Sequence, residues 1–328
     1  MPLCNALIRT SLCAVAVALG ASCNVFDESK IPTEDATTTL SLGEDCLGSD
    51  IPTFESLNEF RDIDTSELRN DHSSLSCVGR ADGNDGFFKV AMTAGKKWHF
   101  HVKVTQGTEA DPAVYVLDSG CQDSVCQRGW GLNECVVGQD EHFSFFPPRD
   151  GTYLVAVDTI TDGGEPMQIL AVEPECGNGN KEHSETCDST EGCDENCRQV
   201  LPAGEVEVEP NDEPRANANV LTFDGDTARA TGQIGGKCDF DSFAVTVPAD
   251  GTINATLTSG CGLDLSLQLV RPDGLTPLGD AVATSAGDCP TISRANLAAD
   301  TYFVRLTTQR EDEPMGVDYE LEVQVTAP

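Results

Sequence analysis

Residues 239–270 read DFDSFAVTVPADGTINATLTSGCGLDLSLQLV, and their alternation decides the fold class. Phe243, Val245 and Val247 recur at every second position, as do Ile253, Ala255 and Leu257, and then Leu263, Leu265, Leu267 and Leu269. A period of two places each set on one face of a pleated strand. Pro248-Ala249-Asp250-Gly251 and Arg271-Pro272-Asp273-Gly274 supply turn residues between the runs. Farther on, Tyr302, Val304 and Leu306 form another set after Ala298-Ala299-Asp300, and Tyr319, Leu321, Val323 and Val325 close the series. Several short strands at this spacing predict an antiparallel sandwich around one core.

Working back toward the N-terminus, the same order of events recurs. Phe88 to Met92 precede Ala94-Gly95, then Trp98, Phe100, Val102 and Val104 alternate, and Ala113 to Leu117 give the next strand. Phe143 and Phe145 lead into Gly151-Thr152-Tyr153-Leu154-Val155, which parallels Asp300-Thr301-Tyr302-Phe303-Val304. The chain therefore reads as all-β, with two antiparallel, jelly-roll-like β-sandwiches at 43–174 and 201–328. Between them, at 175–200, Cys176, Cys187, Cys193 and Cys197 lie in a stretch with almost no apolar side chains. Disulfides among these four are expected to hold such a segment together, in preference to zinc, whose paired chelating turns are missing.

The first 22 residues carry one charge, Arg9, ahead of the apolar stretch Leu12 to Leu19. That pattern is an export signal, too short to span a bilayer. Gly20-Ala21-Ser22-Cys23 resembles the lipobox of bacterial lipoproteins, in which Cys23 would be lipidated, although Gly20 stands where Leu is usual; ordinary cleavage after Gly20 is the rival reading. Lipidation at Cys23 leaves twelve cysteines, an even number, after it. Export to an oxidising compartment turns them into disulfides, with Cys46–Cys77 and Cys261–Cys289 the expected pairs in the sandwiches. Residues 23–42, acidic and threonine-rich, read as a flexible lipid-anchored tether. The formal net charge of −35, from 55 acidic against 20 basic residues, argues against nucleic acid and leaves the lipid as the membrane contact.

Glu207-Val208-Glu209-Pro210-Asn211-Asp212 sets four oxygen-bearing side chains in an extended stretch just before the second set of strands, and reads as a calcium clip. Glu207 and Glu209 point the same way along a strand, while Pro210 bends the chain to bring Asn211 and Asp212 round. With its Glu-Pro-Asn-Asp opening, Asp239-Phe240-Asp241-Ser242-Phe243, Asp300-Thr301-Tyr302 and Tyr319-Glu320-Leu321, the second repeat resembles the bacterial pre-peptidase C-terminal domain. In collagenase copies of that domain the matching linker chelates calcium with nearby aspartates. The resemblance implies calcium ligands at Glu207, Glu209, Asn211 and Asp212, joined by Asp239 and Asp241. The first repeat lacks the opening motif and has Gly86 where the second has Asp241, which puts a site there in doubt. Cys176-Gly177-Asn178-Gly179, Glu182, Glu185 and Cys187-Asp188 resemble the Myxococcus cysteine-rich repeat.

Catalytic patterns are missing: there is no H-E-x-x-H, no G-x-S-x-G and no phosphate-binding glycine loop. His99 and His101 have the i, i+2 spacing of some metal sites, with His142 as the one candidate third ligand; they read as a solvent-facing pair. Tyr302 and Tyr319 fall in phase with core positions, and Phe303 faces outward alone. The expectation is a non-enzymatic exported lipoprotein at the outer membrane or cell surface, or else secreted or periplasmic, that binds an extracellular protein or polysaccharide. An accessory subunit of an extracellular peptidase and a pure spacer are the alternatives.

Overall fold

The computed structural model describes residues 39–72, 74–75, 79–105, 111–122, 140–160, 163–182, 184–188, 191–235, 239–261, 265–282, 288–308 and 316–327. The expected export signal, Cys23 and most of the expected tether lie outside them, as do Cys77, Cys126, Cys135 and Cys238. The first sandwich contains β1 (Thr53–Phe54), β2 (Leu57–Asp64), β3 (Ser74–Leu75), β4 (Gly79–Arg80), β5 (Gly86–Met92), β6 (Trp98–Val104), β7 (Pro112–Leu117), β8 (Glu141–Phe145), β9 (Gly151–Thr159) and β10 (Pro166–Val172). The second contains β11 (Val200–Leu201), β12 (Glu205–Val206), β13 (Asn219–Leu221), β14 (Thr227–Ile234), β15 (Asp241–Val247), β16 (Gly251–Ser259), β17 (Leu265–Val270), β18 (Pro277–Val282), β19 (Thr291–Leu297), β20 (Asp300–Thr308) and β21 (Val317–Thr326).

The duplication is visible in the strand order. Sheets β1-β5-β9-β7 and β2-β10-β6-β8 make the first sandwich; β11-β13-β15-β20-β17-β18 and β12-β14-β21-β16-β19 make the second. Position for position, β13-β15-β20-β17 repeats β1-β5-β9-β7, and β14-β21-β16-β19 repeats β2-β10-β6-β8. Register agrees as well: Val90 faces Tyr153 on β5 and β9 as Val245 faces Tyr302 on β15 and β20. Each tyrosine hydroxyl donates to the carbonyl four residues upstream, Tyr153 to Arg149 at 2.8 Å and Tyr302 to Ala298 at 3.3 Å. A buried phenol needs such a partner, so the bond fixes the corner leading into the strand.

Alternation builds both cores. Phe243, Val245 and Val247 pack with Ile253, Leu257, Leu267, Val304 and Leu321, while Phe88, Phe100, Val102, Phe143, Val155 and Ile169 fill the first core. Each such side chain, fully buried, stabilises its sandwich by about 1.5–3 kcal/mol relative to exposure. Leu40 and Leu42, expected in the tether, instead pack against the first core, and the Leu40 amide bonds the Asp62 carbonyl at 2.7 Å. Two leucines offer apolar area that a solvated tether would leave exposed.

One outer sheet face of each sandwich is also covered, which alternation alone did not reveal. On the first sandwich Cys46 and Ile51 lie over Phe87, Ala113, Tyr115, Leu117, Leu154 and Ala156. Cys46 is bonded to Cys121 and not to Cys77, correcting the expected pair: Cys121 follows β7 and lies against the same covered face. On the second sandwich Phe303 is not alone but buried among Ala218, Ala244 and Val270. Cys261 pairs with Cys289.

In the connecting segment Cys176 pairs with Cys197 and Cys187 with Cys193, the smaller loop nested inside the larger. Its acids satisfy backbone amides: Asp188 accepts from Gly177 at 2.5 Å, Glu182 from Glu175 at 2.8 Å and Glu185 from Glu182 at 2.9 Å. Such bonds order a segment that has almost no apolar interior.

Candidate metal centre

The acidic stretch is laid along the second sandwich by backbone pairing. β12 runs parallel to β14, with Glu205 opposite Ala230 and Val206 opposite Thr231, and the Glu207 amide continues the ladder to the Thr231 carbonyl at 2.8 Å. Asn219 then pins Val208 twice, accepting from its amide at 2.7 Å and donating to its carbonyl at 2.9 Å. Asn211 turns the chain by donating its amide to a Glu209 carboxylate oxygen at 2.9 Å. The Asn211 carbonyl accepts the Ser242 amide, and the Asp212 carbonyl accepts the Ser242 hydroxyl, each at 3.1 Å. The clip is thereby fastened beside the first residue of β15, which is Asp241.

Three of the six expected ligands converge. Glu207, Glu209 and Asp241 bring carboxylate oxygens within 4.8 Å of one another. Asp241 is fully buried and neither of its oxygens receives a hydrogen bond, the neighbouring Tyr319 hydroxyl being donated to Glu207 instead; buried Asn211 also leaves its side-chain oxygen unpartnered. Burial, followed by the charges of Glu207 and Asp239, pushes the Asp241 carboxyl up to about 10. Glu209 is pushed up to about 7 by burial and then by Asp212, Asp239 and Glu207. No basic side chain is among the causes of either shift. Of the other expected residues, Asn211 sits against the trio, donating its side-chain amide to Glu207 at 3.1 Å, while Asp239 and Asp212 are held by other partners. Asp239 accepts the Gly235 amide at the rim, and Asp212 accepts the Phe240 amide at 3.4 Å and interacts with His142 of the first sandwich.

The supporting residues were not singled out from the sequence. Glu207 accepts the Gln233 amide at 2.7 Å, the Tyr319 hydroxyl at 2.5 Å and the Asn211 side-chain amide at 3.1 Å. Gly232 lies beneath it, where a Cβ would collide with the Glu207 carboxylate and the Tyr319 hydroxyl. A glycine inside a strand often marks such a close approach and was the available signal. A cleft of about 820 Å³ opens beside Glu207 and Glu209, lined also by Asp239, Asp318 and Glu320.

Oxygen ligands only, three of them carboxylates, with a buried unpartnered floor and an exposed lip at Glu209, fit a hard divalent cation. The corresponding place in the first sandwich does not. A Cβ on Gly86 would meet Leu42 at 2.6 Å and Leu68 at 2.8 Å, so leucines occupy the space a carboxylate would need. Among the described residues, the other groupings whose ligand atoms already lie within 4.8 Å of one another, Cys46/His72/Cys121 and Cys176/Glu185/Cys197, each include a disulfide-bonded cysteine pair.

Residues 239–308 match the family model of the bacterial pre-peptidase C-terminal domain. No curated protein matches the chain. Among solved structures, the periplasmic inhibitor of g-type lysozyme from Aeromonas hydrophila aligns at 12% identity over 39% of this chain and 99% of its own, with a TM-score of 0.27. The pre-peptidase C-terminal domain of Bacillus anthracis collagenase aligns at 12% identity over 38% of this chain and 98% of its own, with a TM-score of 0.25. The CUB1-EGF-CUB2 region of human MASP-1/3 aligns at 12% identity over 82% of this chain and 100% of its own, with a TM-score of 0.22.

Proposed function

We propose that this chain is a non-catalytic binding module of the cell exterior whose second sandwich carries calcium between Glu207, Glu209 and Asp241. The observation that carries the calcium reading is the buried Asp241 carboxylate, unpartnered on both oxygens beside two further carboxylates. Burying like charges without a counter-ion is costly, and a divalent cation removes that cost. Asn211 would add its free side-chain oxygen, and Asp239 would act from the rim. The ion would supply positive charge and a crosslink between the clip and β15; the protein supplies the oxygens. Titration calorimetry of the chelator-treated chain with calcium chloride tests this. Saturable binding of one equivalent is expected, and heat-free mixing with an unchanged melting temperature would overturn it.

The export signal and Cys23 motivate a lipid anchor that places the module at the outer membrane or cell surface, with an extracellular protein or polysaccharide as its partner. Metabolic lipid labelling of the protein and of its Cys23→Ser variant tests the anchor, which fails if both or neither take up label. The family match at 239–308 favours, as a second reading, an accessory role beside an extracellular peptidase. Purification from cell surfaces without any associated protease would remove that reading.

A further inference from the structure

We propose that His99, His101 and His142 of the first sandwich, with Glu213 of the second, form a separate site for a divalent transition-metal ion of the zinc type. His99 and His101 lie two apart on β6 and so share a face, and β8 sets His142 directly opposite His101. An antiparallel pair of strands thus gathers the rings of three of the chain's five histidines on one sheet face. Their ring centroids are 5.6 Å apart for His101–His142, 5.8 Å for His99–His142 and 6.2 Å for His99–His101. Imidazoles sharing one tetrahedral ion stand about 5 Å apart, centroid to centroid, for metal–nitrogen bonds of about 2 Å. Side-chain rotations that draw the rings in by up to about 1 Å would close the set around such an ion.

An independent observation comes from across the seam. Glu213 accepts the Ser144 amide at 2.8 Å with one carboxylate oxygen. Its other oxygen is buried and ion-paired with His142 Nδ1 at 3.7 Å, a contact that raises the His142 pKa and that an ion between the two would replace. Asp140 stands 3.3 Å from His101 Nε2, the place of a carboxylate that orients a metal-binding imidazole. The His142 side chain is 41% exposed and gives an ion its way in, while buried His99 forms the floor. Three imidazoles and a carboxylate suit zinc, copper or nickel, whereas the all-oxygen trio beside β15 suits calcium. Bound there, the ion would crosslink the two sandwiches.

The test uses the full exported chain, stripped with chelator and titrated with zinc chloride in millimolar calcium, with cobalt chloride as a spectroscopic substitute. One equivalent of zinc is expected, and cobalt absorption should be that of a tetrahedral nitrogen and oxygen set. His101→Ala and His142→Gln should each weaken zinc by about 100-fold and Glu213→Gln by about 10-fold, in line with the loss of individual ligands and their supports. Glu209→Gln should leave zinc affinity unchanged, which separates this site from the calcium trio. The exposed position of His142 keeps its variant informative even if His101→Ala folds poorly. The proposal fails if wild type takes up no zinc at micromolar concentration, or if His142→Gln binds within threefold of wild type.

Discussion

Replacing Asp241 with Asn should raise stability in chelator and blunt the stabilisation that calcium gives. The folded-state carboxyl is pushed up to about 10 by burial and by Glu207 and Asp239, so without metal it takes up a proton on folding. The sign follows: a carboxyl raised in the fold is least costly below the ordinary carboxylate range, and stability falls as pH climbs toward 10. The slope is about 1.4 kcal/mol per pH unit, so the cost at pH 7 approaches roughly 4 kcal/mol. Asn keeps the shape without the ionisation, and in chelator the variant should gain about 2–4 kcal/mol, a rise in Tm on the order of 5–10 °C. In calcium at a hundred times its Kd the wild type gains about 2.7 kcal/mol and the variant, lacking the buried anion, much less. Differential scanning calorimetry at pH 7 with EDTA and with calcium reads both arms. A variant less stable than wild type in EDTA, or equally stabilised by calcium, would refute the reasoning.

Gly232→Ala should displace the Glu207 carboxylate, lowering calcium affinity by about 10–100-fold, with a stability cost of about 1–3 kcal/mol; calorimetry checks the first and urea unfolding the second. Removing Cys46–Cys121 by a double Ser substitution should cost about 4 kcal/mol, since the bridge spans 75 residues; a loss below 1 kcal/mol in urea unfolding would contradict the chain-entropy account. Asp158, fully buried, is pushed up to about 8 by burial, with Asp85 and Asp82 adding to the rise. Its protonated form is favoured in the fold, so stability should fall from the ordinary carboxylate range toward pH 8. Asp158→Asn should flatten that fall by about 1 kcal/mol per pH unit, measured by urea unfolding at pH 5 and pH 8, with equal slopes refuting it.

Strand faces were legible wherever one side of a sheet meets a core. Phe243, Val245 and Val247, or Phe100 and Val102, announce their shared face by spacing alone. What covers the opposite face is not encoded locally, because it arrives from distant sequence. Cys46 over Leu117, Phe303 beneath Ala218 and buried His99 were misjudged for that reason. The candidate calcium trio was readable because Glu207 and Glu209 lie in one short stretch and Asp241 opens a recognisable strand. Gly232, Gln233 and Tyr319 complete it through the register of β14 with β21, where Gly232 faces Tyr319. Similarly, His142 joins His101 only through pairing between strands some forty residues apart.

The nested bridges of the connecting segment bear on what a protease could do to this chain. From Cys176 to Lys181 this stretch is exposed. A single backbone cut anywhere between Cys176 and Cys197 still leaves both fragments tied through that disulfide, so the accessible joint is also one where nicking does not release the distal half. A cut between Cys187 and Cys193 is spanned twice. Gel migration of the nicked protein would then change only after reduction.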